Sequence, residues 1–166
     1  DALNSVQLIK GGFPARYGGR LSSVLEINMK EGNNKEWHGE GSVGIIASKL
    51  TVEGPLIKDK ASILVSGRRT YIDLLAQPII KAGFASDGGS GSAGYYFYDL
   101  NGKINYKISD KDRLYFSAYM GDDRFYFRER IRFSEPGYES EERFGGELTW
   151  GNVTSVLRWN HQFNKK

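Results

Sequence analysis

Tyr96-Phe97-Tyr98-Asp99-Leu100-Asn101-Gly102-Lys103-Ile104-Asn105-Tyr106-Lys107-Ile108 is the stretch on which the fold turns. Read at a period of two, Tyr96, Tyr98, Leu100, Gly102, Ile104, Tyr106 and Ile108 share one face. Phe97, Asp99, Asn101, Lys103, Asn105 and Lys107 share the other. That alternation predicts a strand with one apolar and one wet side.

The same rhythm extends both ways. Leu114, Phe116, Ala118 and Met120 form an apolar face downstream, as do Val153, Leu157, Trp159 and Phe163. Upstream, Ala61 to Tyr71 sets Ile63 and Val65 against Ser62, Ser66, Arg68 and Thr70. Val43–Ile46 and Leu50–Glu53 flank an expected turn near Ser48. Six strands are thus expected between Trp37 and Phe163, antiparallel and paired in sequence order. Short polar turns are expected at Ile57–Lys60 and Ser109–Asp112, with long connections over Ala76–Gly94 and roughly Arg128–Gly145. Within the first of these, Ile79–Ala82 permits a short helix.

Composition agrees with β-structure. The 166 residues include 21 glycines and only four prolines, and 13% are aromatic, which is neither a linker nor a disordered composition. A net charge of +3, from 23 basic and 20 acidic residues, makes no case for nucleic acid. With no cysteine there is no disulfide, thiolate or Cys-ligated metal. The longest apolar run, Tyr95–Tyr98, falls far short of the roughly 20 residues of a membrane helix.

One-sided strands suit either a soluble sandwich or a membrane barrel. Asp99, Lys103, Asn105, Lys107, Arg158 and Asn160 put more charge on the polar faces than a packed interior accepts, whereas a wet lumen takes it. Short turns at one end and long connections at the other also favour the barrel. Leu100, Ile104, Tyr106, Leu114, Phe116, Leu157 and Trp159 are then expected to face lipid. Asp99, Asn101, Lys103, Asn105, Lys107 and Arg158 are expected to face the lumen. Bacterial membrane barrels need at least about eight strands, so the six are expected to belong to a longer wall.

The first thirty residues break this rhythm. Val6–Ile9 reads as a short strand, followed by Gly11-Gly12, the turn-rich Phe13–Arg20 and a second strand at Val24–Met29. The polar stretch Glu31–Glu36 marks a boundary, dividing the chain into residues 1–35 and 36–166.

The run Val6–Ile27, with its Lys10-Gly11 and Tyr17-Gly18 turns, resembles the end of the plug domain of TonB-dependent outer-membrane receptors. Gly39–Gly41, Leu50–Leu56 and Ser66–Tyr71 look like the opening barrel strands of the Bacteroidetes (SusC-like) branch. The resemblance covers nearly the whole chain. It implies an all-β fold, about six strands of a 22-stranded transmembrane barrel preceded by the end of a plug. It implies active import of a scarce nutrient across the bacterial outer membrane, with no enzymatic activity and no cofactor. Its implied partners are outer-membrane lipid, the TonB energy-coupling complex acting through a more N-terminal segment, and a surface substrate-binding lipoprotein.

On that footing Gly11, Gly12, Arg16, Tyr17, Gly18, Gly19 and Arg20 are the candidate plug turns and plug–barrel contacts, the arginines pairing with carboxylates of the wall. Glu40, Glu53, Arg68 and Asp99 are the charges offered on that wall. Arg68, Phe97, Asp99, Tyr115 and Tyr119 are the candidate lumen contacts. A phosphate-cradling reading of the paired glycines lacks the following Gly-Lys-Ser/Thr and helix. His38 and His161 have no partners at metal-ligand spacing. The acidic clusters Asp122-Asp123 and Glu139–Glu142 lack a calcium-loop pattern, and no catalytic constellation stands out. Tyr96, Tyr98, Tyr106, Trp37 and Trp159 read as an aromatic girdle at a bilayer boundary. The alternative is a soluble β-sandwich that recognises a polysaccharide.

Overall fold

The computed structural model describes residues 3–12, 14–19, 22–86 and 89–164. Its order is β1 (Leu3–Lys10), a single 3-10 turn (Ala15–Tyr17), β2 (Ser23–Met29), β3 (His38–Val43), β4 (Ala47–Ile57), β5 (Ala61–Thr70), α1 (Ile72–Ser86), β6 (Gly89–Lys107), β7 (Asp112–Glu135) and β8 (Tyr138–His161). β1 and β2 form a separate two-stranded hairpin; β3 to β8 form one sheet in sequence order. Every pairing is antiparallel. The fold is therefore predominantly antiparallel β, as the alternation predicts. The six-stranded sheet is open, with β3 and β8 at its edges.

Register fixes the faces, because directly paired residues of an antiparallel ladder point to the same side. On one face lie the rows Leu50–Gly67–Leu100–Met120–Val153 and Val52–Val65–Gly102–Ala118–Ser155. Two further rows, Gly54–Ile63–Ile104–Phe116–Leu157 and Ala61–Tyr106–Leu114–Trp159, continue it. The opposite face carries Thr51–Ser66–Asn101–Tyr119–Thr154 and Glu53–Leu64–Lys103–Ser117–Val156. The two residue sets expected on opposite sides do lie on opposite sides.

Burial is inverted relative to a water-soluble sheet. Thr51, Ser62, Leu64, Ser66, Thr70, Lys103 and Tyr115, all on the polar face, are buried. On the apolar face Leu50, Leu100, Phe116, Met120, Val153, Leu157 and Trp159 are exposed. The polar face is covered by the chain between the hairpin and β3. Ser62 Oγ donates to the Glu31 carbonyl (2.7 Å), Lys103 Nζ to the Met29 carbonyl (3.0 Å) and Asn105 Nδ2 to Glu31 Oε2 (3.2 Å). Asp59 N donates to the Asn34 carbonyl (3.0 Å). Gly32 makes this approach possible: its φ is +81°, and a Cβ there would lie 2.9 Å from the Ile63 carbonyl oxygen.

Three expected connections are corrected. The turn between β3 and β4 falls at residues 44–46, inside the stretch expected as the first strand and not near Ser48; it is closed by Gly44 N donating to the Ala47 carbonyl (2.9 Å), and the strand before it is His38–Val43. The long connection over Ala76–Gly94 is instead the helix α1, which contains the Ile79–Ala82 stretch where a short helix is permitted and is much longer than it, and the first part of β6. Pro78 inside that helix disguises it, because proline has no N–H for the carbonyl of Leu74. What holds α1 is tertiary. Residues 89–97 of β6 extend past its pairing with β5, and Gln77 Nε2 donates to the Ala93 carbonyl there (3.0 Å), while Phe84 meets Phe127 (6.0 Å between centroids). A helix laid along an otherwise open sheet edge satisfies backbone that would be left unpaired. The second connection, Arg128–Gly145, is no loop: β7 and β8 stay paired from Asp112↔His161 to Glu135↔Tyr138.

Candidate functional site

The polar face and the hairpin's base enclose a cleft of about 870 Å³. Asn4, Ser5 and Asn28 come from the hairpin and Met29–Asn33 from the following segment. Glu53, Lys103, Tyr115, Ser117 and Arg158 come from β4, β6, β7 and β8 of the sheet. Strand alternation puts these polar side chains on one side, and register brings them level.

Two clusters result. In one, the Arg158 guanidinium lies 4.2 Å from the Tyr115 ring centre, and Lys103 Nζ lies 5.8 Å from the same ring. In the other, Arg68 pairs with Asp99 (2.7 Å) and its guanidinium lies over Phe97 (5.0 Å). Of the expected lumen contacts, the structure brings Arg68, Phe97 and Asp99 together. Tyr115 stands in the cleft with Lys103 and Arg158, and Tyr119 lies on the same face, level with Asn101. Cations held over aromatic rings beside carboxylates and hydroxyls suit hydrogen bonding to a polar solute. Among the described residues no three His, Cys, Asp or Glu side chains converge as for a metal.

The hairpin turns lie elsewhere. Gly11, Gly12 and Gly19 take positive φ (63°, 54° and 74°) in the connection between β1 and β2, with Gly18 beside them. Tyr17 Oη donates to Glu26 Oε2 within the hairpin (2.7 Å), and Arg16 lies over the Tyr17 ring (4.7 Å). Among the described residues no wall carboxylate sits within ion-pair distance of Arg16. Arg68 and Asp99 instead neutralise each other, and Glu40 pairs with Lys49 (3.6 Å). Arg20 lies outside the described residues. The hydrogen bonds joining this part to the sheet come from Met29, Glu31 and Asn34. Their signal was the polar composition of Glu31–Glu36, which reads equally well as a solvated linker.

Beyond Met120 the sheet changes character. Arg124 and Arg128 pair with Glu147 (3.3 and 3.6 Å), and Arg130, Arg132 and Arg143 with Glu141 (3.3, 3.2 and 2.5 Å). All lie on the face that is apolar lower down. No helix of the described residues is long and apolar enough to cross a membrane, a statement that does not concern strands. No family model, curated protein or solved structure matches the chain.

Proposed function

We propose that β3 to β8 are a section of the wall of a bacterial outer-membrane β-barrel, with the apolar face toward lipid and the polar face toward a wet lumen. The observation that carries this reading is the apolar band on one face, bounded at one end by Tyr96 and Tyr98 and at the other by Tyr106 and Trp159. Tyr98 and Tyr106 stand about 27 Å apart along β6, or about 20 Å of height at a tilt near 40°. Outer-membrane barrels carry an apolar belt of roughly 25 Å between two aromatic girdles. Trp37, packed over Gly54 on the same face, joins the lower girdle. An exposed apolar band of this extent opposite a buried polar face is costly in water and natural in a bilayer.

Within this reading the chain is the early wall of a TonB-dependent type of receptor that imports a nutrient, and the β1–β2 hairpin is the end of its plug. β3 and β8 pair onward with further strands, which removes their open edges from lipid. The hydrogen bonds to Met29, Glu31 and Asn34 tether the hairpin to the wall, and the cleft with Lys103, Tyr115 and Arg158 lies on the solute's path. Energy coupling and a surface lipoprotein partner rest on the resemblance of Val6–Ile27 and Gly39–Tyr71 alone.

Detergent dependence tests the reading. The chain is expected to remain monodisperse only with detergent or lipid. A monodisperse, folded chain in plain buffer that binds a polysaccharide would replace it with the soluble-sandwich reading.

A further inference from the structure

Arg69 and Arg124 both lie on the apolar face, just past the end of the apolar band. Arg69 follows Gly67 of the uppermost apolar row by one step on that face. Arg124 stands about 14 Å beyond Met120 along β7. The two come from strands separated by β6, and both guanidinium groups lie over one ring, that of Tyr96, at 5.2 and 5.9 Å from its centre. Arg124 is half-buried and has Glu147 at 3.3 Å, whereas Arg69 has no carboxylate within ion-pair distance among the described residues. Asp122 stands on the same face, one row nearer the band.

We propose that Arg69 and Arg124, seated on Tyr96, form a docking site for the phosphate group of an anionic lipid, in the leaflet on the side of the β7–β8 hairpin. The inference rests on the barrel-wall reading and adds a ligand to its lipid face. Arg69 and Arg124 reach Tyr96 from the two strands that flank β6, and each guanidinium offers a fork of donors that suits the oxygens of a phosphate. The site borders the apolar band, where headgroups stand. A lipid phosphate arrives already placed by its acyl chains against the exposed Leu100 and Met120, an advantage that a soluble phosphate lacks.

Flotation of the folded full chain with vesicles tests this. Partition into pure phosphatidylcholine reads the apolar band; extra partition with about 20 mol% phosphatidic acid reads the arginine pair. The wild type is expected to favour the anionic vesicles about thirtyfold, at about 1 kcal/mol for each of the two arginines. R69Q/R124Q is expected to keep the neutral partition and lose most of that excess. R128Q/R132Q, altered further up the hairpin, is expected to keep both. An excess that survives in R69Q/R124Q, or falls equally in R128Q/R132Q, overturns the site and leaves the barrel wall standing. Binding of inorganic phosphate to the detergent-solubilised chain that R69Q/R124Q loses, with no excess partition into the anionic vesicles, assigns the pair to free phosphate and overturns lipid docking. No entry into neutral vesicles overturns the wall reading and the site with it.

Discussion

The lower and upper halves of β7 and β8 share one backbone ladder and opposite chemistry. Below Met120 the face bearing Leu114, Phe116, Leu157 and Trp159 is apolar, and its reverse carries Arg113, Tyr115, Arg158 and Asn160. Above Asp123 the sides exchange. Arg124, Arg128, Arg130, Arg132, Glu141, Arg143 and Glu147 occupy the formerly apolar face, while Phe125, Phe127, Phe144, Leu148 and Trp150 occupy the other. No break in pairing accompanies the change. Strand geometry is indifferent to which side is greasy; the surroundings choose. On the barrel-wall reading the exchange marks a boundary between two environments, not between two folds, with the lower half in lipid.

A charge placed in the band should break the comparison most sharply. F116R or L157R in lipid is expected to cost about 2–4 kcal/mol near the bilayer midplane. F125R, on the upper hairpin, is expected to cost under about 1 kcal/mol because it gains solvent on an exposed surface. Denaturant unfolding of the three variants in vesicles measures the difference, and equal costs would erase the distinction between the halves.

Next in size is G32A. It combines a positive φ with a Cβ forced against the Ile63 carbonyl, a strain of about 1–3 kcal/mol. It is expected to release residues 29–34 from the polar face, so that protease cuts there while the β6–β8 ladder stays protected. Unchanged protection of 29–34 would show that the segment is not held by this contact.

The polar face's own ion pair is a smaller term. Arg68 is about half exposed, so D99N is expected to cost roughly 0.5–1 kcal/mol, screened by salt. A double-mutant cycle with R68Q measures it. The smallest effect is one of pH. Hydrogen bonding from Arg143, then from Arg132, holds the Glu141 carboxyl below the ordinary carboxylate range. Its contribution is therefore present above the unfolded carboxyl's value and is lost as pH falls through the lowered one. Hydrogen exchange in the upper hairpin is expected to quicken on acidification below about pH 4 in the wild type and to be less pH-dependent in E141Q.

Much of this arrangement is legible in sequence because side-chain period and face are locally coupled. Tyr96–Ile108 alone gives the strand, its two faces and the place of Tyr96, Tyr98 and Tyr106 on one of them. What is not legible depends on partners distant in the chain. α1 is masked by Pro78 and held by β6 and β7 through Gln77 and Phe84. The paired stretch 128–145 reads as a loop, because its glycines and charges resemble solvated connections until the ladder from Arg128↔Gly145 upward is seen. The contacts of the N-terminal part illustrate the same limit. Arg16 promises a partner on the wall by its charge, whereas the contact is made by the Glu31 carboxylate and chiefly by backbone carbonyls of Met29, Glu31 and Asn34, which leave no trace in composition.

The central claim is that one face of β6 and β7 meets lipid and the other does not. Single cysteines bearing an environment-sensitive fluorophore at positions 100, 104 and 116, and at 101, 103 and 117, in the vesicle-inserted protein would read it directly. Quenching by nitroxides attached to lipid acyl chains at 100, 104 and 116, with little at 101, 103 and 117, is the predicted result. Equal quenching at both sets, or the reverse order, would contradict it.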